Sequence, residues 1–168
     1  MATYSKVLCD ERIVSEPKFD FISMMADSGA TWDMSLGKLI GNLGFLLVGG
    51  KDTNRNCMSS GLLVPHENPA EWTKLKAKLS FVDTLVREFV RYQTPLAHTR
   101  RTASLDAELA VHQIRVGDKT FMWYVGANSG ERVIEEPERF CVDREKPRKH
   151  RSYRAGIHRC VGDRLADL

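Results

Sequence analysis

Cysteine is sparse in this 168-residue chain and never closely paired: Cys9, Cys57, Cys141 and Cys160 stand far apart, with no Cys-x-x-Cys. That excludes a disulfide framework and a zinc site, and it fits a reducing, cytoplasmic location. Long apolar runs are missing too. The longest, Leu43 to Val48, contains Gly44 and is far too short to cross a bilayer. The first six residues lack the apolar core of a secretory signal. Net charge is only +3, too small to imply nucleic-acid binding, and neither repeats nor low-complexity tracts occur. What is present, 42% hydrophobic and 28% charged residues, is the composition of a soluble globular domain. The charge is unevenly spread: Arg144 to Arg164 holds eight Lys/Arg against Glu145 and Asp163, which implies a basic surface.

Helical spacing dominates the first two thirds. The first thirty residues are poorly patterned, with a short helix beginning in Pro17–Ile22. Leu36, Leu39, Ile40, Leu43, Leu47, Val48, Met58 and Leu62 predict one long helix from about Ser35 to Val64, with Gly49-Gly50 at its middle. A glycine pair there is costly unless a backbone must approach something closely or bend. Pro65 and Pro69 are expected to end that helix and start the next, Ala70 to Ala77. Ser80 and Asp83 form a candidate capping box for a helix from Phe81 to Tyr92, buried through Leu85, Val86, Phe89 and Val90 and stopped by Pro95. Strand-like runs follow at Ala107–Val111, Gln113–Val116 and Lys119–Val125, with a turn at Gly117-Asp118 between the last two. Trp123 and Tyr124 read as core aromatics. A charged, proline-punctuated segment from Glu135 to Tyr153 precedes a last helix, from near Cys160 to Leu168, that stops after barely two turns. A sequence that stops inside an element is expected to be a fragment.

Three constellations carry chemistry. Cys160 opens a helix, flanked by Gly156, Gly162, His158 and Arg159. Helix-end N–H groups and nearby cations favour a thiolate, which can be a nucleophile or a metal ligand. Glu88 and Arg91 lie three apart on a helix and can form an ion pair. Gly49-Gly50-Lys51-Asp52-Thr53 puts an acid and a hydroxyl directly after the paired glycines.

In this order and at comparable spacing, the three resemble motifs of the bacterial cytochromes P-450, over nearly the whole chain from Pro17 to Leu168. Gly156, His158, Cys160 and Gly162 match the family's haem loop, whereas Tyr153 and Arg154 stand where the pattern has Phe and Gly. An Arg there costs stability if the position needs positive φ. The resemblance implies that Cys160 is the metal ligand, bound to haem iron, and that His158 and Arg101 contact haem propionates. Gly49 and Gly50 would let the long helix pass close over the haem. Asp52 would relay protons and Thr53 would hydrogen-bond the oxygen being activated. Glu88-x-x-Arg91, joined by Arg139 of Pro137-Glu-Arg139-Phe140, would be a structural knot with no part in catalysis.

The stretches Leu46–Asn56, Arg91–Ala103, Phe121–Val125 and Gly156–Gly162 are most similar to the branch that hydroxylates medium-chain alkanes and fatty acids at the terminal carbon. Ser129 and Gly130 depart from its Arg-Asp. The implied fold is mainly α with small β-sheets (α+β). It is the C-terminal part of the cytochrome P-450 fold: long central helix, E-x-x-R helix, meander and haem-thiolate loop. The whole chain, residues 1–168, is then one partial domain without its N-terminal half and C-terminal end, expected to be poorly folded and inactive alone. The implied cofactor is haem b. The implied partners are a ferredoxin and its NADH-dependent reductase, O₂ and an alkane or fatty-acid substrate, with the basic run from Arg144 as the docking surface. No nucleic-acid partner is expected: the basic run lacks interleaved aromatics or a helix-turn-helix. The alternative is a non-catalytic remnant that binds no haem.

Overall fold

The computed structural model describes residues 2–31 and 33–166. It divides into two compact units, Met1–Lys51 and Asp52–Leu168. In the first, helices α1 (Ala2–Ile13) and α2 (Phe21–Asp27) pack against each other. The sequence pattern missed α1. Helix α2 starts later than expected because Asp20 is its N-cap, its carboxylate accepting from Ser23 N–H at 2.8 Å. Cys9 and Ser23 are the buried residues of this pair.

Helix α3 (Leu36–Glu67) begins in the first unit and ends in the second. It runs past Pro65, which lies buried inside its last turn. A proline so near the C-terminus removes one hydrogen bond without a following turn to break. The helix stops instead at Asn68, whose backbone and side-chain N–H groups both donate to Val64 O at 2.9 Å. Much of its apolar surface is open: Phe45, Leu47, Val48, Met58, Leu62 and Leu63 are all exposed.

In the second unit α4 (Pro69–Ala77) leads through a 3-10 turn (Leu79–Phe81) into α5 (Val82–Gln93). The expected capping box does not form. The 3-10 turn occupies Ser80, and Phe81, in helical conformation, precedes α5 without a side-chain cap. Thr94 closes α5 in the left-handed region (φ 42°), its N–H donating to Val90 O, and Pro95 follows. Val64, Leu75, Leu85, Phe140 and Val142 make the core, with Phe81 and Phe89 packed against it. The Phe140 ring stacks on Phe89 at 5.3 Å and meets Tyr92 edge-on at 5.6 Å.

Two antiparallel ribbons complete the unit: β1 (His98–Thr102) with β4 (Lys119–Trp123), and β2 (Ala107–Leu109) with β3 (His112–Ile114). The turn at Gly117 (φ 90°) exists, but it joins strands of different ribbons. Tyr124 is buried, its hydroxyl 2.7 Å from Thr99 Oγ1, and opens α6 (Tyr124–Asn128). Trp123 is exposed, stacked on His98, so it is not a core aromatic. Beyond α6 the chain is irregular to α7 (Asp163–Ala166), apart from 3-10 turns at Pro147–Lys149 and Gly156–His158. The last helix thus starts three residues after Cys160. Its expected final residues, 167 and 168, lie outside the described residues.

Phe140 is the largest fully buried side chain. Phe140→Ala is expected to cost about 3–5 kcal/mol by denaturant unfolding, against roughly 0.5 or less for Val111→Ala in the exposed hairpin.

Candidate haem-thiolate site

The site is built on a buried ion knot. Glu88 is 0% exposed, and Arg91 one turn later is 2% exposed. Arg91 grips Glu88 with two parallel bonds, Nε to Oε2 and Nη2 to Oε1, both 2.8 Å. Its remaining donors reach the carbonyls of Asn128, Pro137 and Arg139 at 2.8–3.2 Å. Arg144 Nε also donates to Glu88 Oε2 at 2.8 Å, and its Nη atoms take the carbonyls of Glu135, Glu136 and Arg139. Cys141 N–H adds a fourth bond to Glu88, at 3.1 Å. A carboxylate out of water is tolerable when its lone pairs are saturated in this way.

Arg144, not Arg139, is therefore the second guanidinium. Phe140 is buried, and Arg139 before it lies in a turn closed by its N–H donating to Glu136 O at 3.0 Å. The Arg139 side chain accordingly turns outward to Glu136 (2.9 Å) and toward Glu71 (3.7 Å), while its carbonyl faces the knot. The same fact removes Arg144 from the basic surface, which consists of exposed Lys146, Arg148, Lys149, Arg151 and Arg164. Arg159 pairs with Asp163.

A second polar cluster joins α4 to the same segment. Glu71 accepts from Val142 N–H (3.0 Å), and the Lys74 ammonium bridges Glu71 and Asp143. The Cys141 thiol, 3.0 Å from Asp143 Oδ1, and Lys74 hold the Asp143 carboxyl below its usual range. Burial, then the bond to Asp143, pushes the Cys141 thiol up.

Asn128 connects the knot to the cysteine loop. Its carbonyl receives Arg91, its side-chain amide donates to Thr94 Oγ1 and Ser152 Oγ at 2.8 Å, and its Oδ1 accepts from Arg151 N–H at 2.6 Å. Ser152 Oγ donates in turn to Val90 O at 2.7 Å. From this anchored base the loop runs out through Arg154 and Gly156, both at φ 63°, and closes where Cys160 N–H donates to Tyr153 O at 2.9 Å. Asn128, Ser152 and Thr94 were not legible as site residues, since a lone Asn or Ser has no spacing signature.

The other expected site residues lie as follows. Arg101 is half-buried, on the inward face of β1 with Thr99, whereas Arg100 is exposed. Asp52 is exposed and pairs with Arg55 one turn on, at 3.6 Å. Thr53 is half-buried, and His158 and Cys160 are exposed. A Cβ added to Gly49 or Gly50 would meet nothing within 4 Å beyond its chain neighbours and its own stretch of helix backbone.

No family model matches the chain. Curated relatives do. It is 34% identical over 155 residues to linalool 8-monooxygenase of Pseudomonas putida, covering 92% of this chain and 38% of that one. It is 32% identical over 160 residues to putative cytochrome P450 126 of Mycobacterium tuberculosis, with the same coverage. Among solved structures, cytochrome P450-153 from Novosphingobium aromaticivorans superposes with a TM-score of 0.91 at 44% identity, over 99% of this chain and 41% of its own. CYP153D17 from a Sphingomonas species gives 0.88 at 45%, over 98% and 41%. The chain belongs to the cytochrome P-450 family. It spans about two fifths of the length of these relatives, and it has the fold of the corresponding part of a cytochrome P-450.

The cofactor of cytochromes P-450 is haem b. The residues here fit that group. Cys160 offers one sulfur, exposed between Ile157 and Val161, which are 97% and 85% exposed. One soft donor with exposed apolar side chains near it in the chain suits a largely apolar macrocycle that takes a single sulfur ligand. The glycines on either side, 156 and 162, would each carry a Cβ into open space, leaving room against the loop backbone.

The knot geometry ranks two arginines. Arg144→Ala leaves a buried anion short of a partner and is expected to cost about 3–5 kcal/mol. Arg139→Ala, at an exposed pair, is expected to cost about 1 kcal/mol or less by the same unfolding measurement.

Proposed function

We propose that this chain carries the haem-binding part of a monooxygenase that inserts one atom of O₂ into a terminal C–H bond of a medium-chain alkane or fatty acid. The observation that carries the reading is the 44–45% identity with two cytochromes P450 of the 153 group, the alkane hydroxylase branch, over essentially the whole chain. Bound haem supplies the oxygen-activating chemistry. In this reading Cys160 Sγ would be the sulfur that holds the haem iron. Arg101 and His158 pair with the propionates. Gly49 and Gly50 present a helix face without side chains. Thr53 would offer its hydroxyl as a hydrogen-bond donor, and Asp52, solvent-exposed beside Arg55, would exchange protons with water.

Electrons reach the site from NADH through a ferredoxin and its reductase. Support for an acidic donor is the cationic groove lined by Arg87, Lys146, Arg148 and Lys149, to which an acidic surface is complementary. No helix among the described residues is long and apolar enough to cross a membrane.

A second reading, a relative that keeps the knot but takes up no haem, is favoured by Arg154 at φ 63°. The reduced carbon monoxide difference spectrum of the haem-titrated chain separates the two. The red-shifted Soret band of thiolate ligation is expected, and it disappears in Cys160→Ser. A chain that gives no such band supports the second reading.

A further inference from the structure

The cysteine loop is held unevenly. Its base is tied to buried groups: Arg151 N–H donates to Asn128 Oδ1 and Ser152 Oγ to Val90 O. Its tip is not. Residues 155–161 are all exposed, and their backbone bonds stay within the loop: Arg159 N–H to Gly156 O (3.1 Å), Cys160 N–H to Tyr153 O (2.9 Å) and Asp163 N–H to Cys160 O (3.4 Å). Few buried contacts and solvent-exposed hydrogen bonds are the features of a segment with low local stability.

Arg154 stands where base becomes tip. Its N–H donates to Arg151 O at 2.8 Å, which closes a tight turn, and its backbone is left-handed, φ 63°. Gly156, two residues on, has the same φ at no steric cost. In a side chain with a Cβ that conformation costs about 1–2 kcal/mol. Where the surrounding loop is weakly held, such a cost falls on the local equilibrium between ordered and disordered loop.

We infer that Arg154 is a positioning residue acting through its backbone: the left-handed turn it is forced into lowers the population of the loop conformation that presents Cys160. Haem affinity then falls in proportion, because a ligand that binds only the ordered loop sees its intrinsic affinity scaled by that loop's population. The haem part of this inference rests on the reading given under Proposed function; the loop part does not.

The test is a substitution series at this one position in the full 168-residue chain, R154G, R154N, R154A and R154K. Two quantities are read: hydrogen exchange of the Cys160 amide without haem, and the apparent Kd for ferric haem. Backbone strain predicts an order set by tolerance of positive φ. Gly and Asn slow Cys160 exchange by roughly three- to tenfold (about 0.7–1.4 kcal/mol) and lower the Kd by the same factor, whereas Ala and Lys stay near the parent. Exchange unchanged in R154G overturns the inference. So does an order in which Lys alone keeps the parent behaviour and Gly speeds exchange, since that assigns the role to the cationic side chain. If R154G slows exchange while no variant takes up haem, loop strain stands and the haem reading falls, together with the affinity half of this inference.

Discussion

A carboxylate with no access to water sets the terms for the rest of the second unit. The Glu88 carboxyl can lie inside the protein only where its oxygens meet donors, and those donors come from widely separated parts of the chain. Arg91 is supplied by the same helix, Arg144 and the Cys141 N–H by the irregular segment that follows α6. That segment has almost no secondary structure of its own, so its path is fixed by what it must deliver to Glu88. Carbonyls of Glu135, Glu136, Pro137 and Arg139 occupy the spare guanidinium donors, and Phe140 is drawn into the core between them. An irregular chain is thereby made as specific as a sheet.

The knot also reaches the cysteine loop through a short relay. Arg91 holds the carbonyl of Asn128, and Asn128 holds Arg151 and Ser152 with its side chain. Position 160 is therefore related to α5 by a chain of hydrogen bonds, the last of them within the loop's own turns. The contrast between anchored base and open tip explains why a residue at their junction can matter more than its exposure suggests.

Periodicity in the sequence conveyed most helical elements, and motif spacing the Glu88–Arg91 pair, because both depend on local order along the chain. Helix α1 escaped notice: its apolar residues Val7 and Ile13 are themselves exposed, leaving no one-sided stripe to read. Proline and capping signals misplaced the ends of α3 and α5, since Pro65 is accommodated in a terminal turn and a 3-10 turn overrides the Ser80 cap. The exchange of Arg139 for Arg144 has a different cause. Motif spacing pointed to Arg139, but the folded chain turns that side chain to Glu136 and brings Arg144 to Glu88. Strand pairing likewise depended on a partner, β1, distant in sequence from β4. Long-range geometry, not residue type, separates what could be read from what could not.

In the proposed haem protein, of four cysteines, the one at the end of this relay is the one that meets iron. Iron-edge X-ray absorption on the haem-loaded chain tests that most directly. One sulfur in the iron's first coordination sphere is predicted for the parent and for the Cys9→Ser, Cys57→Ser and Cys141→Ser variants, and none for Cys160→Ser. Sulfur coordination that survives Cys160→Ser, or that is absent from the parent, would contradict it.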